Sequence, residues 1–195
     1  RLNLLVFGGS QGATVFSTVV PEAIAGLPAD LLPRLRITQQ SRAEDADRVR
    51  ARYNALGVAA DVRPFFDDLP DRMASADLVI ARSGASTIAE LTAIGRPSIL
   101  VPYPSAADDH QTANAEACQA TGAAWMMPEP DEFTAEKLAG PLLGLLKAPD
   151  RLQRAADAAR AAGTPDAADR LADLVIATAP ALRAATATVQ QGSAA

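Results

Sequence analysis

Short apolar runs alternate with helical segments along most of this chain, and this alternation limits the fold more than any other feature. Six runs predict β-strands, at Leu2–Gly8, Leu35–Gln39, Ala60–Phe65, Asp77–Ala81, Pro97–Pro102 and Ala123–Pro128. Several are continuously apolar, which is typical of parallel strands covered on both faces. The alternation therefore predicts an α/β fold with a doubly wound, six-stranded parallel sheet.

Eight further segments predict helices. They are Ala13–Ala25, Ala43–Leu56, Leu69–Ala74, Thr87–Ile94, His110–Ala120, Ala135–Leu146, Asp150–Ala161 and Asp166–Ala179. Gly57, Gly95 and Gly122 stand where three of these helices end, which is the usual place for a left-handed glycine. We expect one domain at residues 1–179 and a frayed or disordered tail at 180–195, most clearly at 184–195.

The composition excludes several classes of protein. A hydrophobic fraction of 49% with 21% charged residues is typical of a globular domain, and a net charge of −5 argues against a nucleic-acid partner. The single cysteine, Cys118, allows no internal disulfide and favours a reducing, cytoplasmic compartment. The apolar runs are too short for a transmembrane segment. The chain starts inside a strand without a signal peptide, which suggests a piece of a longer protein.

A glycine-rich loop follows the first strand, with the sequence Gly8-Gly9-Ser10-Gln11-Gly12-Ala13. Such a turn directs backbone N–H groups and the positive end of a helix at one place, which suits a phosphate, and the Ser10 hydroxyl adds a donor. The alternative is an ordinary turn that needs glycine for its torsion angles. A dinucleotide-dependent oxidoreductase fits poorly because the G-x-G-x-x-G spacing is absent and Gln39-Gln40-Ser41 offers no acidic residue for a ribose.

A second loop of this kind, Arg82-Ser83-Gly84-Ala85-Ser86-Thr87, follows the fourth strand. Two such turns at one edge of a sheet suggest a diphosphate, and Arg82 would help to neutralise it. Glu90 lies one helical turn further on, and a carboxylate can accept hydrogen bonds from both hydroxyls of a ribose. The alternatives are a solvated Glu90 that interacts with the helix dipole and a surface ion pair for Arg82.

A third group lies beyond the fifth strand. Asp108 or Asp109 is expected to cap the next helix, whose first turns carry His110, Gln111 and Asn114. Gln111 and Asn114 share one helical face, and their amides suit the hydroxyls of a sugar. The alternative is capping and exposed polar residues. His110 has no partner at metal-ligand spacing, so no metal site is expected.

The segment Pro64-Phe65-Phe66-Asp67-Asp68 forms a fourth group. Backbone groups of Phe66 could pair with the edge of a nucleobase, and the Phe66 ring could pack on the base. The alternative is that both phenylalanines pack in the core.

Taken together, these residues resemble the C-terminal domain of the bacterial peptidoglycan N-acetylglucosaminyltransferases of the MurG type, from about Leu4 to about Ala177. The resemblance is carried by Gly8–Ala13, Phe65–Asp68, Arg82–Glu90, Gly95–Pro102 and Asp108–Ala115. It implies the Rossmann-like donor-binding domain of a two-domain (GT-B) glycosyltransferase. The ligand that it implies is UDP-N-acetylglucosamine.

The resemblance also implies roles for individual residues. Ser10 would contact the diphosphate, and the Phe66 backbone would contact uracil. The segment formed by Ala85, Ser86, Thr87, Ile88, Ala89 and Glu90 would surround the diphosphate and ribose, with Glu90 on the ribose hydroxyls. Gln111 would contact the N-acetylglucosamine. Two departures from the family pattern are Phe66, where an aliphatic residue is frequent, and His110, where some members carry glutamine.

The family reaction transfers N-acetylglucosamine from UDP to an undecaprenyl-diphosphate-linked muramyl pentapeptide, with inversion and without an obligatory metal or cofactor. In the family, an N-terminal domain, absent here, supplies the acceptor site, the membrane-binding patch and the general base. The resemblance therefore implies no catalytic residue in this chain, and a full-length protein peripheral on the cytoplasmic face of the inner membrane. We expect this chain alone to bind the donor weakly without turnover.

Three other functions remain open. The first is the donor domain of a different GT-B transferase, acting on a glycolipid or natural product. The second is a UDP-sugar 2-epimerase-like domain, which the scarcity of titratable residues in these loops disfavours. The third is a binding module without chemistry.

Overall fold

The computed structural model describes residues 1–9 and 12–178, which fall into two compact units, Arg1–Gly163 and a second that starts at Thr164. The first unit contains the strands β1 (Leu2–Phe7), β2 (Leu35–Gln40), β3 (Ala59–Arg63), β4 (Leu78–Ala81), β5 (Ser98–Leu100) and β6 (Ala124–Met126). Its helices are α1 (Thr14–Ala25), α2 (Ala43–Ala55), α3 (Leu69–Ser75), α4 (Ala85–Ile94), α5 (His110–Ala120), α6 (Ala135–Leu146) and α7 (Pro149–Ala162).

The second unit is described as far as Thr178 and contains α8 (Ala167–Thr178), which exposes Leu171, Leu174 and Val175. None of the described helices is long and apolar enough to cross a membrane. The predicted tail at 180–195 lies outside the described residues, and the predicted domain extent of 1–179 stays a prediction.

The six strands form one parallel sheet in the order β3-β2-β1-β4-β5-β6. Leu4 in the central strand β1 lies beside Ile37 of β2 on one side and Leu78 of β4 on the other. The predicted doubly wound, six-stranded parallel fold is confirmed. The chain starts at β1, builds outward to β3 and returns to β4, so the strand order reverses between β1 and β4. Ligands of such sheets bind beyond the carboxyl ends of the strands at this reversal.

Helices cover both faces of the sheet. On one face, β1 buries Leu4 and Val6 against α1, α2 and α6, where the rings of Phe16 and Phe133 meet edge to face at 5.5 Å. On the other face, Leu5 and Phe7 lie in a second core formed with α3, α4, α5 and α7. Each fully buried large apolar side chain contributes on the order of 1.5–3 kcal/mol, so the sheet is a rigid support for the loops at its edge.

A buried polar network connects β2 with α1 and α2 beneath the first glycine-rich loop. The Tyr53 hydroxyl donates to Gln39 Oε1 at 2.5 Å, and Gln39 Nε2 donates to the carbonyl oxygen of Phe16 at 3.1 Å. Burial raises the pKa of Tyr53 far above its usual range, so the phenol keeps the proton that it donates. The hydroxyls of Ser17 and Ser41 lie 2.8 Å apart in the same layer. These bonds hold the start of α1 in a defined position on the sheet.

Two elements at the site, a strand and a helix, have boundaries that differ from the predicted ones. Strand β3 ends at Arg63, which is paired with Gln40 at the end of β2, and Pro64 has no N–H with which to continue the ladder. Phe65 and Phe66 therefore lie in a loop. Helix α4 begins at Ala85, before the predicted Thr87, because the carbonyl of Gly84 already accepts from the N–H of Ile88.

The predicted glycine ends of three helices are confirmed. Gly57, Gly95 and Gly122 have φ values of 68°, 74° and 83°, in the left-handed region that glycine adopts without strain.

Candidate functional site

The glycine-rich loop after β1 needs glycine for steric reasons. A Cβ atom on Gly8 would lie 2.5 Å from the backbone nitrogen of Ala13, and Gly9 and Gly12 have φ values of 88° and 69°. Helix α1 then begins at Thr14 without a side-chain cap. The N–H of Phe16 donates to the carbonyl oxygen of Ala13, and the N–H groups of Thr14 and Val15 are available to a ligand. Ser10, the predicted diphosphate contact, lies outside the described residues.

The loop after β4 repeats this arrangement. Helix α4 begins after Gly84 without a side-chain cap, and Ser86 and Thr87 in its first turn line both cavities described below. Three other residues that were predicted to surround the ligand are not placed in the lining of these cavities. Ala85 and Ala89 are exposed on α4, Ile88 packs against the second core, and none of the three is among the described residues that line the cavities.

The larger cavity, of about 540 Å³, opens beyond the carboxyl ends of β1 and β4. One wall comes from the glycine-rich loop and the start of α1, and the opposite wall comes from the loops after β4 and β5. Its described lining is Gly8, Gly9, Gly12, Ala13, Thr14, Val15, Arg42, Arg82, Gly84, Ser86, Thr87, Tyr103, Pro104, Gln111 and Glu129. Two uncapped helix ends thus border one cavity, and they favour an anion there.

A smaller cavity, of about 170 Å³, adjoins the larger one and shares Gly9, Ser86 and Thr87 with it. Its remaining described lining is Phe7, Gln40, Phe65, Phe66, Leu69 and Glu90. This lining is largely apolar, with one carboxylate at its edge. The side chain of Glu90 forms no hydrogen bond or ion pair within the described part of the chain, so its oxygens are available as acceptors.

The two phenylalanines at the smaller cavity have different environments. Phe66 is 5% exposed, whereas Phe65 is 69% exposed, so the alternative that both pack in the core is wrong for Phe65. The Arg72 guanidinium lies 4.3 Å from the centre of the Phe66 ring, and it donates to Asp68 at 2.6 Å and Asp61 at 2.8 Å. The hydrogen bond from Arg72 lowers the pKa of Asp68, which therefore stays ionised as a partner. This network fixes the Phe66 ring.

Arg82 is held by protein groups from several directions. Its Nη1 donates to the carbonyl oxygens of Val101 and Pro102 at 3.2 and 3.0 Å, and the same nitrogen forms an ion pair with Glu129. The guanidinium also lies 5.2 Å from the centres of the Phe16 and Tyr103 rings. Its positive charge is therefore compensated within the protein. The role of Arg82 in neutralising a diphosphate stays a prediction.

Gln111 and Asn114 connect the loops after β4 and β5. Gln111 Oε1 accepts from the backbone N–H groups of Ser83 and Tyr103 at 3.3 and 3.1 Å, and Asn114 Nδ2 donates to the carbonyl oxygen of Ser83 at 3.0 Å. Gln111 also lines the larger cavity. The Gln111 oxygen is occupied by these two hydrogen bonds, so the N–H groups of its side-chain amide are available to a ligand. Asn114 is not among the described lining residues, so the structure gives it a supporting position.

The start of α5 departs from the predicted capping. Asp108 and Asp109 both have left-handed backbones, with φ values of 51° and 52°, and no side-chain cap bond is made to the helix. Asp109 Oδ1 accepts instead from the Thr112 hydroxyl at 2.6 Å. The predicted aspartate cap is therefore wrong, because the left-handed backbone of Asp109 occupies the cap position without the extended geometry that a cap requires.

The sequence analysis missed several residues at the site, among them Gln40 and Arg42. Gln40 is 5% exposed, accepts from the N–H of Gly8 at 3.0 Å and donates to the carbonyl oxygen of Pro64 at 3.2 Å. Arg42 stands just before α2 and lines the larger cavity. Their position after the strand next to β1 is the one sequence signal that could have found them.

Metal-ligating side chains do not cluster in the described ranges. Across residues 1–9 and 12–178, no group of three or more histidine, cysteine, aspartate or glutamate side chains could hold a metal ion. Cys118 is buried, and burial raises the pKa of its thiol.

Comparison with known proteins finds a family model and close relatives. Residues 3–171 match the model of the glycosyltransferase family 28 C-terminal domain. The chain is 62% identical over 175 residues to a UDP-N-acetylglucosamine–N-acetylmuramyl-(pentapeptide) pyrophosphoryl-undecaprenol N-acetylglucosamine transferase from Rhodospirillum centenum, covering 90% of this chain and 46% of that protein. The chain therefore spans about half the length of the curated relatives it matches.

Solved structures show the same likeness. The crystal structure of MurG from Acinetobacter baumannii superposes with a TM-score of 0.79 at 32% identity, covering 89% of this chain and 51% of that one. A UDP-N-acetylglucosamine 2-epimerase from Listeria monocytogenes gives a TM-score of 0.64 at 14% identity, over 91% of this chain and 45% of that one. The second match shows a shared fold alone.

Proposed function

This chain belongs to the family of glycosyltransferase family 28 C-terminal domains, and from that membership we propose that it binds UDP-N-acetylglucosamine as a sugar donor. It would form the donor half of an inverting GT-B glycosyltransferase. The reaction proposed is the addition of N-acetylglucosamine to a lipid-linked muramyl pentapeptide in peptidoglycan synthesis, as the names of its relatives suggest.

One observation carries the proposal: the uncapped N-termini of α1 and α4 border the same cavity, at the reversal of strand order. Each helix end contributes free N–H groups and a partial positive charge. Two of them together suit a diphosphate better than a single phosphate.

The arrangement also suits the chemistry of transfer. As the bond between sugar and diphosphate breaks, negative charge grows on the leaving UDP. Backbone N–H groups already directed at that position stabilise the charge without rearranging, which lowers the barrier. The proposal needs no catalytic side chain from this chain. Ser10, in the predicted role, would add a hydroxyl donor.

The smaller cavity is the proposed nucleoside site. The exposed Phe65 ring and the fixed Phe66 segment lie beside an apolar space for the base, and Glu90 at the edge would accept from the ribose hydroxyls. The shared residues Ser86 and Thr87 would then lie at the phosphates, and the sugar would extend into the larger cavity toward the free amide of Gln111.

The acceptor and the location of the full-length protein are also proposals. We infer that a part of the protein outside this chain binds the lipid-linked acceptor, since the relatives named for that acceptor are about twice as long. A lipid-linked acceptor implies action at a membrane surface, and we propose the cytoplasmic face of the inner membrane. The absence of a nucleic-acid partner stays a prediction from the net charge.

Calorimetric titration of the chain with UDP and UDP-N-acetylglucosamine tests the donor site. Glu90→Ala should weaken both ligands by about 1–3 kcal/mol, because the ribose hydroxyls lose their acceptor. The matched control is Glu116→Ala, an exposed glutamate on α5, which should bind like the wild type. A 2′-deoxy-UDP ligand should bind the wild type more weakly than UDP and lose less affinity on Glu90→Ala, since only the 3′ hydroxyl remains to donate to the carboxylate.

Three results would contradict the proposal. A wild-type chain without affinity for either ligand would remove the donor site. Preference for a TDP-sugar or UDP-glucose in the same titration would favour another GT-B transferase. Conversion of UDP-N-acetylglucosamine to its 2-epimer would assign the chain to the epimerases.

A further inference from the structure

The arginines around the two cavities differ in whether their charge is paired with a carboxylate. Four arginines line these cavities or contact Phe66, and three of them are paired with carboxylates. Arg63 pairs with Asp61 at 2.8 Å, Arg72 pairs with Asp61 and Asp68, and Arg82 pairs with Glu129. The Arg42 side chain forms no hydrogen bond or ion pair with any residue that the structure describes. Among the described arginines of the site, its charge is the one left for a ligand.

Arg42 is also placed close to the glycine-rich loop. It precedes α2, is exposed, and lines the larger cavity beside Gly12 and Thr14. A Cβ atom added to Gly12 would lie 3.5 Å from Arg42 Cγ, so the stem of the arginine runs along this loop. Its backbone is held on the sheet by the neighbouring Ser41, whose N–H donates to the carbonyl oxygen of Arg63 at 3.0 Å.

The division into two cavities indicates which part of a nucleotide Arg42 meets. Glu90 and Phe66 belong to the smaller cavity, and Gly9, Ser86 and Thr87 form the boundary between the two. Arg42 lines the larger cavity and is not among the described lining residues of the smaller one. A nucleotide seated in the smaller cavity would therefore present its first phosphate at the boundary and its second phosphate on the side of Arg42.

We propose that Arg42 binds the distal phosphate of a nucleoside diphosphate and so distinguishes diphosphates from monophosphates at this site. This inference rests on the proposed donor site. Glu129 and Glu90 both face the cavities, and Arg82 is already neutralised, so a second phosphate needs a further cation. A guanidinium can provide two parallel N–H donors to a phosphate.

The test is calorimetric titration of the whole chain with UMP and UDP, for the wild type, Arg42→Ala and Arg42→Lys. Arg42→Ala should weaken UDP about tenfold and change UMP by less than about twofold, because a charge-assisted bond is lost at the second phosphate only. Arg42→Lys should recover part of the UDP affinity, since the charge remains but the planar pair of donors does not. Arg36→Ala, an exposed arginine of β2 outside both cavities, is the matched control and should bind like the wild type.

Each other outcome overturns the inference. Unchanged UDP affinity in Arg42→Ala would show that the arginine does not contact the second phosphate. Equal losses for UMP and UDP would mean that the substitution acts on the nucleoside site or on folding. Failure of the proposed function is recognised separately, because the wild-type chain would then bind neither nucleotide, and the role of Arg42 would fall with it.

Discussion

At the scale of single residues, Gln40 connects the two loops that form the smaller cavity. Its oxygen accepts from Gly8, at the exit of β1, and its nitrogen donates to Pro64, at the exit of β3. The Gln40 side chain is almost fully buried, whereas Gly8 is half-buried and Pro64 is exposed. Gln40 is therefore a positioning residue for the glycine-rich loop and for the Phe65-Phe66 segment together.

Replacement of Gln40 by methionine should affect both stability and binding. Methionine keeps the approximate volume but removes both hydrogen bonds of the Gln40 amide, each of which contributes about 0.5–1.5 kcal/mol to the free energy of unfolding. UDP affinity should also fall, since the two loops lose their connection. Chemical denaturation and UDP titration measure the two effects.

Gln119→Met is the matched control for Gln40→Met. Gln119 also accepts from a backbone N–H, that of Met126 at 2.8 Å, but it is exposed and lies away from both cavities. This control should lose some stability and keep its UDP affinity. A Gln40→Met variant that is destabilised but binds UDP normally would contradict the positioning role.

At the scale of the elements, most of the fold could be predicted from the sequence because its signals are local. Continuous apolar runs gave the strands, and Gly57, Gly95 and Gly122 gave three helix ends. The site was predicted in part, because the loops around Gly8 and Gly84 also carry local signals. The hydrogen-bond partners of Gln40 and Arg82 could not be predicted. They are backbone groups far away along the chain, and no local pattern says which side chain will reach them.

Helices α1 and α2 are joined by an exposed ion pair that should respond to acid. Arg52 donates to both oxygens of Glu22, at 2.8 and 2.7 Å, and these hydrogen bonds lower the pKa of Glu22 from its ordinary value of 4.5. A lowered pKa in the folded state means that the stabilising contribution is complete above the ordinary value. It is lost as the pH falls through the lowered value.

Glu22→Gln should therefore reduce the melting temperature near pH 7, by an amount that shrinks as the pH falls below 4.5. The difference at neutral pH should be small, about 1–2 °C, because solvent screens an exposed pair. Thermal unfolding followed across this pH range measures it, with Glu116→Gln on α5 as the control. A Glu22→Gln variant whose deficit does not shrink as the pH falls would mean that packing, and not charge, connects the two helices.

At the scale of the whole molecule, we expect binding of the donor and transfer of the sugar to be separable. The cavities use loops from this chain, whereas its curated relatives are about twice as long. We expect the 195-residue chain to bind UDP-N-acetylglucosamine and to transfer no sugar. Joined to the remaining half of the Rhodospirillum centenum relative, it should transfer labelled N-acetylglucosamine to a lipid-linked acceptor.

Glu90→Ala in the joined protein is the control for that assay, and it should lower transfer through weaker donor binding. Efficient transfer by the 195-residue chain alone would contradict the separation. A joined protein that binds both substrates without transfer would show that this donor half is not interchangeable with that of the relative.

The reversal of strand order has a consequence for how the polypeptide emerges from the ribosome. Leu4 of the central strand pairs on one side with Ile37, but on the other side with Leu78, which is synthesised much later. Until then a largely apolar strand has an open edge that a second nascent chain could join. Growth at low temperature or with abundant chaperones should therefore raise the soluble yield of this protein, and ribosome-bound chains halted before residue 78 should be the most prone to aggregate.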